Sequence, residues 1–171
     1  MLPNTEPLAV TEAAPAKVIL IVEDDEDTLV FLKLALTSET PYGVLLMENG
    51  IETLQRLNEV EAVQPALLLL DYHLPKMTAL DLYDSLHAQA KLAQVPALMI
   101  TADPLCGEIR RALAERNIAL LEKPFGLDEL FQRIEQTMKP PAEGFNGGFN
   151  RDEGNGPSLA NISSYIAKVR M

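Results

Sequence analysis

The stretch Lys17-Val-Ile-Leu-Ile-Val-Glu-Asp24 decides the fold, because an apolar run of strand length ends directly in two carboxylates. Three later runs also end in polar side chains: Leu67-Leu-Leu-Leu-Asp71, Ala97-Leu-Met-Ile-Thr101, and Ile118-Ala-Leu-Leu-Glu122, which leads into Lys123-Pro124. In a parallel sheet the carboxyl ends of the strands lie on one edge. The sequence therefore predicts one site that gathers acids, a hydroxyl and an ammonium group.

The apolar runs alternate with segments of helical periodicity, as in Leu29, Leu32 and Leu36. The runs contain almost no polar residues, which is typical of strands covered on both faces. Five strand–helix pairs with short connections predict an α/β fold of the flavodoxin-like, doubly wound (βα)5 type. The expected parallel sheet has five strands in the order 2-1-3-4-5. The runs lie near residues 17–22, 43–47, 66–70, 97–100 and 118–121.

Composition divides the chain into four parts. Residues 1–16 contain three prolines and no helical period, which predicts a disordered leader. Residues 17–139 form the predicted domain. Residues 140–157 are rich in Gly and Asn and predict a flexible linker. Residues 158–171 predict a short amphipathic helix, because their apolar residues repeat at spacings of three and four.

The overall charge excludes some classes of partner. A net charge of −11 and an isoelectric point near 4.6 argue against nucleic-acid binding and against anionic membranes. Cys106 is the only cysteine, so an internal disulfide is excluded. We expect it to be a small packing residue. We find no signal peptide and no apolar run of membrane-spanning length, and therefore predict a cytoplasmic protein.

The predicted site favours a hard cation. Glu23, Asp24 and Asp71 would make a strongly negative pocket, and magnesium prefers such oxygen ligands. Acids can instead begin a helix and stabilise its positive end, which is the interpretation we prefer for residues 25–27. Asp71 alone could cap a turn, and a single Thr101 or Lys123 at a strand end is weak support. The ordered set of all these residues is specific.

At these residues the chain resembles the receiver domain of two-component response regulators, as a stand-alone, chemotaxis-regulator-like protein with a C-terminal tail. The matching motifs are Ile19-Leu-Ile-Val-Glu-Asp-Asp-Glu-Asp27, Leu69-Leu-Asp-Tyr-His-Leu-Pro-Lys-Met77, Met99-Ile-Thr-Ala-Asp103 and Glu122-Lys-Pro-Phe125. The resemblance covers nearly three-quarters of the chain. It implies a phosphoacceptor that assists its own phosphorylation and dephosphorylation, rather than an enzyme acting on a separate substrate.

The resemblance also implies a role for each site residue. Asp71 would accept a phosphoryl group from a histidine kinase or a histidine phosphotransfer protein. Thr101 would bond the phosphoryl oxygens, Lys123 would pair with them, and the Lys123–Pro124 peptide bond would be cis. The implied magnesium ligands are Glu23, Asp24, Asp71 and the main-chain carbonyl of His73.

Four positions carry further expectations. Leu120 stands at the switch position, where the family usually has an aromatic residue, so coupling through a moving ring is not expected. Ala79 replaces a usual glycine, which predicts a different path for the loop after Asp71. His73 is expected at the rim of the pocket, and His87 on the surface of the third helix.

The function predicted from this set is a single-domain response regulator of a phosphorelay, which signals by changed contacts with a downstream protein. A second copy could bind through the C-terminal helix or through the face of the fourth and fifth predicted helices. One alternative is a magnesium phosphatase of the haloacid dehalogenase type. That class needs an acid where this chain has His73. A second alternative is an unphosphorylated pseudo-receiver that acts as a binding module.

Overall fold

The computed structural model describes residues 17–103 and 105–139, which contain five strands and six helices. The strands are β1 (Lys17–Val22), β2 (Tyr42–Met47), β3 (Leu67–Asp71), β4 (Ala97–Thr101) and β5 (Ala119–Glu122). The helices are α1 (Glu26–Glu39), α2 (Gly50–Gln55), α3 (Leu57–Val63), α4 (Ala79–His87), α5 (Gly107–Glu115) and α6 (Leu127–Met138).

The strands form one parallel sheet in the order β2-β1-β3-β4-β5, which confirms the predicted topology. The register pairs Val22 with Leu70, and Asp71 with Ile100. Thr101 pairs with Glu122, the residue before Lys123. The strand ends therefore meet at one edge, and this register sets the spacing of the site.

Two hydrophobic layers enclose the sheet. One contains the inward residues of α4 together with Leu20, Leu68 and Leu70. The other contains the inward residues of α1 and α6 together with Ile19 and Ile21. Neighbouring strand residues point to opposite faces, so a continuous apolar run supplies both layers. This burial explains why β3 contains four leucines in succession.

The acidic stretch after β1 begins helix α1. Asp25 is the N-cap, and its carboxylate accepts from the Thr28 backbone N–H at 2.8 Å and from the Thr28 hydroxyl at 2.6 Å. Glu26 and Asp27 occupy the first turn, where negative charge is favourable. These three acids therefore start the helix, as we preferred, and leave Glu23 and Asp24 at the strand end.

The second predicted helix is broken into α2 and α3 at Arg56, whose ψ of 24° departs from helical geometry. Its guanidinium binds Glu52 on one side of the break and Glu59 on the other, at 2.7 and 2.9 Å. Ile51, Leu54 and Leu57 recur at spacings of three, which predicts that all three face inward, yet Ile51 is 39% exposed. The spacing of apolar residues alone did not predict either departure.

The predicted leader (1–16), linker (140–157) and C-terminal helix (158–171) lie outside the described residues. Within residues 17–103 and 105–139, no helix has the length and hydropathy needed to cross a membrane.

Candidate functional site

Two carboxylates from different strands meet at one ammonium group. Lys123 Nζ donates to Asp71 Oδ2 at 2.7 Å and to Glu23 Oε2 at 3.0 Å. Glu23 follows β1, Asp71 ends β3, and Lys123 follows β5, so the parallel sheet brings the three together. The structure thus places these predicted residues in one pocket.

The site contains most of the buried polar side chains of the described part of the chain. Of the four buried polar or charged residues in that part, Glu23, Asp71 and Thr101 belong to the site, whereas Thr53 lies on α2. Burying a carboxylate is costly unless it is paired or hydrogen-bonded. Because a core made for packing alone would avoid this cost, the clustering indicates a functional site.

Burial and charge shift the pKa values of the pocket. Burial, as the largest cause, and the neighbouring Asp71 raise the pKa of Glu23 to about 7, although Lys123 acts in the opposite direction. Burial alone would lower the pKa of Lys123, but its bonds to Asp71 and Glu23 outweigh this and raise it. The lysine is therefore firmly charged and neutralises part of the pocket.

Thr101 is fully buried on the strand beside Asp71. Its hydroxyl accepts from the Asp103 backbone N–H and lies 3.2 Å from the Asp103 carbonyl, to which it donates. Its own carbonyl accepts from the Lys123 backbone N–H at 2.7 Å. Thr101 and Lys123 are thus linked through the backbone, and the Lys123–Pro124 bond is cis.

The remaining predicted metal ligands are Asp24 and the main-chain carbonyl of His73. Asp24 is exposed, whereas Glu23 beside it is 2% exposed. Asp71 Oδ1 accepts from the His73 backbone N–H at 2.7 Å. In residues 17–103 and 105–139, no three acidic, histidine or cysteine side chains are grouped closely enough to hold one metal ion.

The donor set nevertheless fits a hard divalent cation. Carboxylate oxygens of Glu23 and Asp71 converge on one cation, the Lys123 ammonium, and oxygen is the ligand type that magnesium prefers. Magnesium also keeps several waters, so it needs few protein ligands. Asp24 follows Glu23 directly but is exposed, and it is not grouped with this pair closely enough to share one ion.

Leu120 and Ala79, the two residues that depart from the family pattern, are partly and fully buried. Leu120 pairs with Met99 in the sheet and packs, partly buried, on the α4 side. Ala79 is fully buried as the first residue of α4, and the Thr78 hydroxyl caps that helix by accepting from the Asp81 N–H. In the preceding loop it is Lys76 that has a positive φ, of 66°.

Two minor expectations were wrong. His87 is half-buried, because its Nε2 lies 2.9 Å from the Val95 carbonyl oxygen and its ring stacks on Tyr83 at 3.9 Å. Cys106 is exposed at the residue before α5, so it does not pack in the core.

The sequence did not predict one contact across the mouth of the pocket. His73 Nε2 lies 3.0 Å from Asp103 Oδ2, which joins the loops that follow β3 and β4. Each residue stands two positions after a predicted site residue on neighbouring strands. This equal spacing was the sequence feature that could have predicted the contact between His73 and Asp103.

Comparison with known proteins agrees with this geometry. The family model of the response regulator receiver domain matches residues 19–135. A Chemotaxis protein CheY homolog from Campylobacter jejuni is 28% identical over 120 residues, which cover 70% of this chain and 91% of the relative.

Two solved structures support the fold as well. A CheY-like response regulator receiver domain protein from Methanospirillum hungatei has a TM-score of 0.62 and 26% identity, over 71% of this chain and 93% of its own. The receiver domain of a sensor histidine kinase from Pseudomonas aeruginosa has a TM-score of 0.61 and 27% identity, over 71% and 97%. The latter has a magnesium ion coordinated in its active site cleft. By its motifs, its sheet order and its match over residues 19–135, this chain belongs to the response regulator receiver domain family.

Proposed function

We propose that the protein is a response regulator of a phosphorelay that accepts a phosphoryl group on Asp71. The observation that carries this proposal is the contact of the Asp71 carboxylate with Lys123 at 2.7 Å, in a pocket with the buried hydroxyl of Thr101. A carboxylate oxygen of Asp71 would attack phosphorus. The bond from phosphorus to the donor's histidine nitrogen would break, and its electron pair would stay on that nitrogen.

The other side chains stabilise charge and orientation. Lys123 would pair with the phosphoryl oxygens, and Thr101 would exchange its bonds with Asp103 for one to the phosphoryl group. Glu23, Asp24, Asp71 and the His73 carbonyl would hold magnesium. When bound, magnesium would neutralise part of the charge of the phosphoryl group.

The donor would be a histidine kinase or a histidine phosphotransfer protein, and the output a change of contact with a downstream protein. Thr101 precedes α5 in the sequence, and Lys123 follows β5. The repositioning of these two residues would therefore shift the conformational equilibrium of α5 and β5. Leu120 on β5 would repack without the ring movement of an aromatic residue.

The test is phosphoryl uptake by the full chain from an acyl phosphate in the presence of magnesium, followed by intact mass. Wild type and Asp128→Asn, an exposed acid on α6, are expected to gain one phosphoryl group. Asp71→Asn, with an unchanged circular dichroism spectrum, is expected to gain none. Uptake by Asp71→Asn would refute the assignment.

The same protein preparation also tests the alternative function, a magnesium phosphatase. A phosphatase of the haloacid dehalogenase type would release phosphate from phosphomonoesters in steady turnover. The side chain of His73, which stands where that class has an acid, contacts Asp103 at 3.0 Å. We therefore expect no turnover above that of Asp71→Asn.

A further inference from the structure

A groove lies at the amino end of the sheet, away from the pocket around Asp71. Its floor is apolar and is formed by the first residue of β2 and by two residues of α6, namely Tyr42, Phe131 and Ile134. The six residues of β2 span roughly 17 Å, and Asp71 stands at the opposite, carboxyl edge of the sheet. The groove is therefore separate from the site described above.

Two exposed glutamates also line this groove. Glu39 is the last residue of α1, and Glu135 lies in the last turn of α6. A helix carries partial negative charge at its C-terminus, so a carboxylate is unfavourable there, and neither last turn contains a basic residue. Lys17 stands beside Tyr42 in the sheet, yet within residues 17–103 and 105–139 neither glutamate forms an ion pair. The groove thus presents two unpaired negative charges next to an apolar floor.

The size and lining of the groove restrict what it can bind. Its volume is about 120 Å³, which is about the volume of four water molecules and has room for one side chain. Drug-sized ligands need pockets of about 300–1,000 Å³. The two carboxylates repel anions, and a hard metal ion needs a shell of oxygen ligands that an apolar floor does not supply. A cationic side chain with an apolar stem satisfies both the charge and the floor.

Arginine fits these conditions better than lysine. Its guanidinium is planar and weakly hydrated, stacks on aromatic rings and donates to carboxylates from its edges. Phe131 and Tyr42 are partly buried and offer aromatic surface, and Glu39 and Glu135 offer acceptors. The ammonium of lysine is compact and strongly hydrated, so it gains less from the aromatic floor.

We propose that this groove binds an arginine side chain in a basic segment of a partner protein. The net charge of −11 attracts such a segment, and the groove fixes the position of one arginine within it. The inference does not rest on the proposed function, because the groove shares no residue with the pocket around Asp71. Binding is therefore expected whether or not Asp71 carries a phosphoryl group.

The experiment titrates the peptide acetyl-Ala-Leu-Arg-Leu-Ala-amide into the 15N-labelled full chain. The backbone N–H signals of Tyr42, Phe131 and Glu135 are followed by NMR, and we expect them to shift along one saturation curve. The matched peptide with citrulline keeps the shape of arginine without its charge, and should bind about tenfold more weakly. The matched lysine peptide should bind about two- to fivefold more weakly.

Variants of the groove test each part of the contact. Glu39→Gln and Glu135→Gln should each weaken binding of the arginine peptide about two- to fivefold, because each removes one exposed ion pair. Phe131→Leu keeps an apolar floor without the aromatic face, and should weaken binding by a similar factor. Glu129→Gln removes the same charge from an exposed position in the first turn of α6, and should bind as wild type.

Three outcomes would overturn the proposal. The first is equal affinity for the arginine and citrulline peptides, or equal affinity of wild type and both groove glutamate variants. The second is binding that Glu129→Gln weakens as much as Glu135→Gln does, since this would show general attraction to the acidic surface. The third is a dimer in sedimentation velocity that Glu135→Gln dissociates, which would assign the groove to a second copy of the chain. Phosphoryl uptake at Asp71 is measured separately, so failure of one proposal leaves the other unaffected.

Discussion

Lys123 and Asp71 are 52 residues apart in the chain, yet the lysine Nζ lies 2.7 Å from the aspartate Oδ2. The sheet order places β3 and β5 on either side of β4, so the pair spans a strand that contributes Thr101. The same ammonium contacts Glu23, which makes Lys123 the common partner of both buried carboxylates.

Removing this ammonium should destabilise the domain. Lys123→Ala leaves Glu23 and Asp71 buried without their cation, and an unsatisfied buried group costs about 1–3 kcal/mol. Urea unfolding at pH 7.5 should show a loss of that size. The loss of stability should be smaller at pH 5.5, where protonation of Glu23 relieves its repulsion with Asp71. Lys33→Ala, at an exposed position of α1, is the control and should change little. An equal loss at both pH values would contradict this account.

The raised pKa of Glu23 predicts a pH dependence in the metal-free protein. Its pKa is about 7 in the folded state, above the unfolded value, so the folded chain binds the extra proton. Its contribution to stability is full below the unfolded pKa and is lost as pH rises through about 7. Relative to wild type, Glu23→Gln should gain on the order of 2 kcal/mol between pH 4.5 and 8.

The measurement is the free energy of unfolding in urea, with a chelator present throughout. Glu115→Gln, at an exposed end of α5, serves as the control and should parallel wild type. If Glu23→Gln followed wild type across this range, the raised pKa would be refuted.

His87 predicts a dependence of stability on pH that has the opposite sign. Burial is the largest cause of its lowered pKa, and outweighs the raising effects of the Val95 carbonyl and of Asp84. The unfolded chain therefore binds the extra proton, and stability is lost as pH falls below about 6.5. His87→Gln keeps a donor for Val95 but cannot titrate, so its stability should fall less than that of wild type between pH 7 and 5. His73→Gln is the control at an exposed histidine. If the stabilities of wild type and His87→Gln depended on pH in the same way, the lowered pKa of His87 would be disproved.

Magnesium should stabilise the folded chain by mass action, because a ligand that binds only the native state adds RT ln(1 + [L]/Kd). At tenfold excess over Kd this is about 1.4 kcal/mol, or a rise of a few degrees in Tm. Asp24→Asn should reduce the rise more than Asp27→Asn, since Asp27 lies in the first turn of α1. Differential scanning calorimetry with and without magnesium checks this, and equal rises in both variants would exclude Asp24 as a ligand.

The sheet and the pocket could be predicted because both depend on where apolar runs end. A parallel sheet puts every strand end on one edge, so the polar residues that follow the runs must meet. Side-chain pairing could not be predicted in this way. Glu23 and Asp24 are adjacent, yet one is buried against Lys123 and the other is exposed. The burial of His87 depends on residues after α4 that bring Val95 to its ring, a contact that helical periodicity does not encode.

The position of Lys123 between two acids means that the pocket contains its own counter-ion. The negative charge is already partly compensated by the chain, so we expect the domain to fold without a bound metal, unlike small metal-nucleated domains. In the proposed function, magnesium would then enter and leave an intact scaffold. Its availability would govern whether Asp71 reacts, and we expect the sheet and helices to keep their arrangement without it.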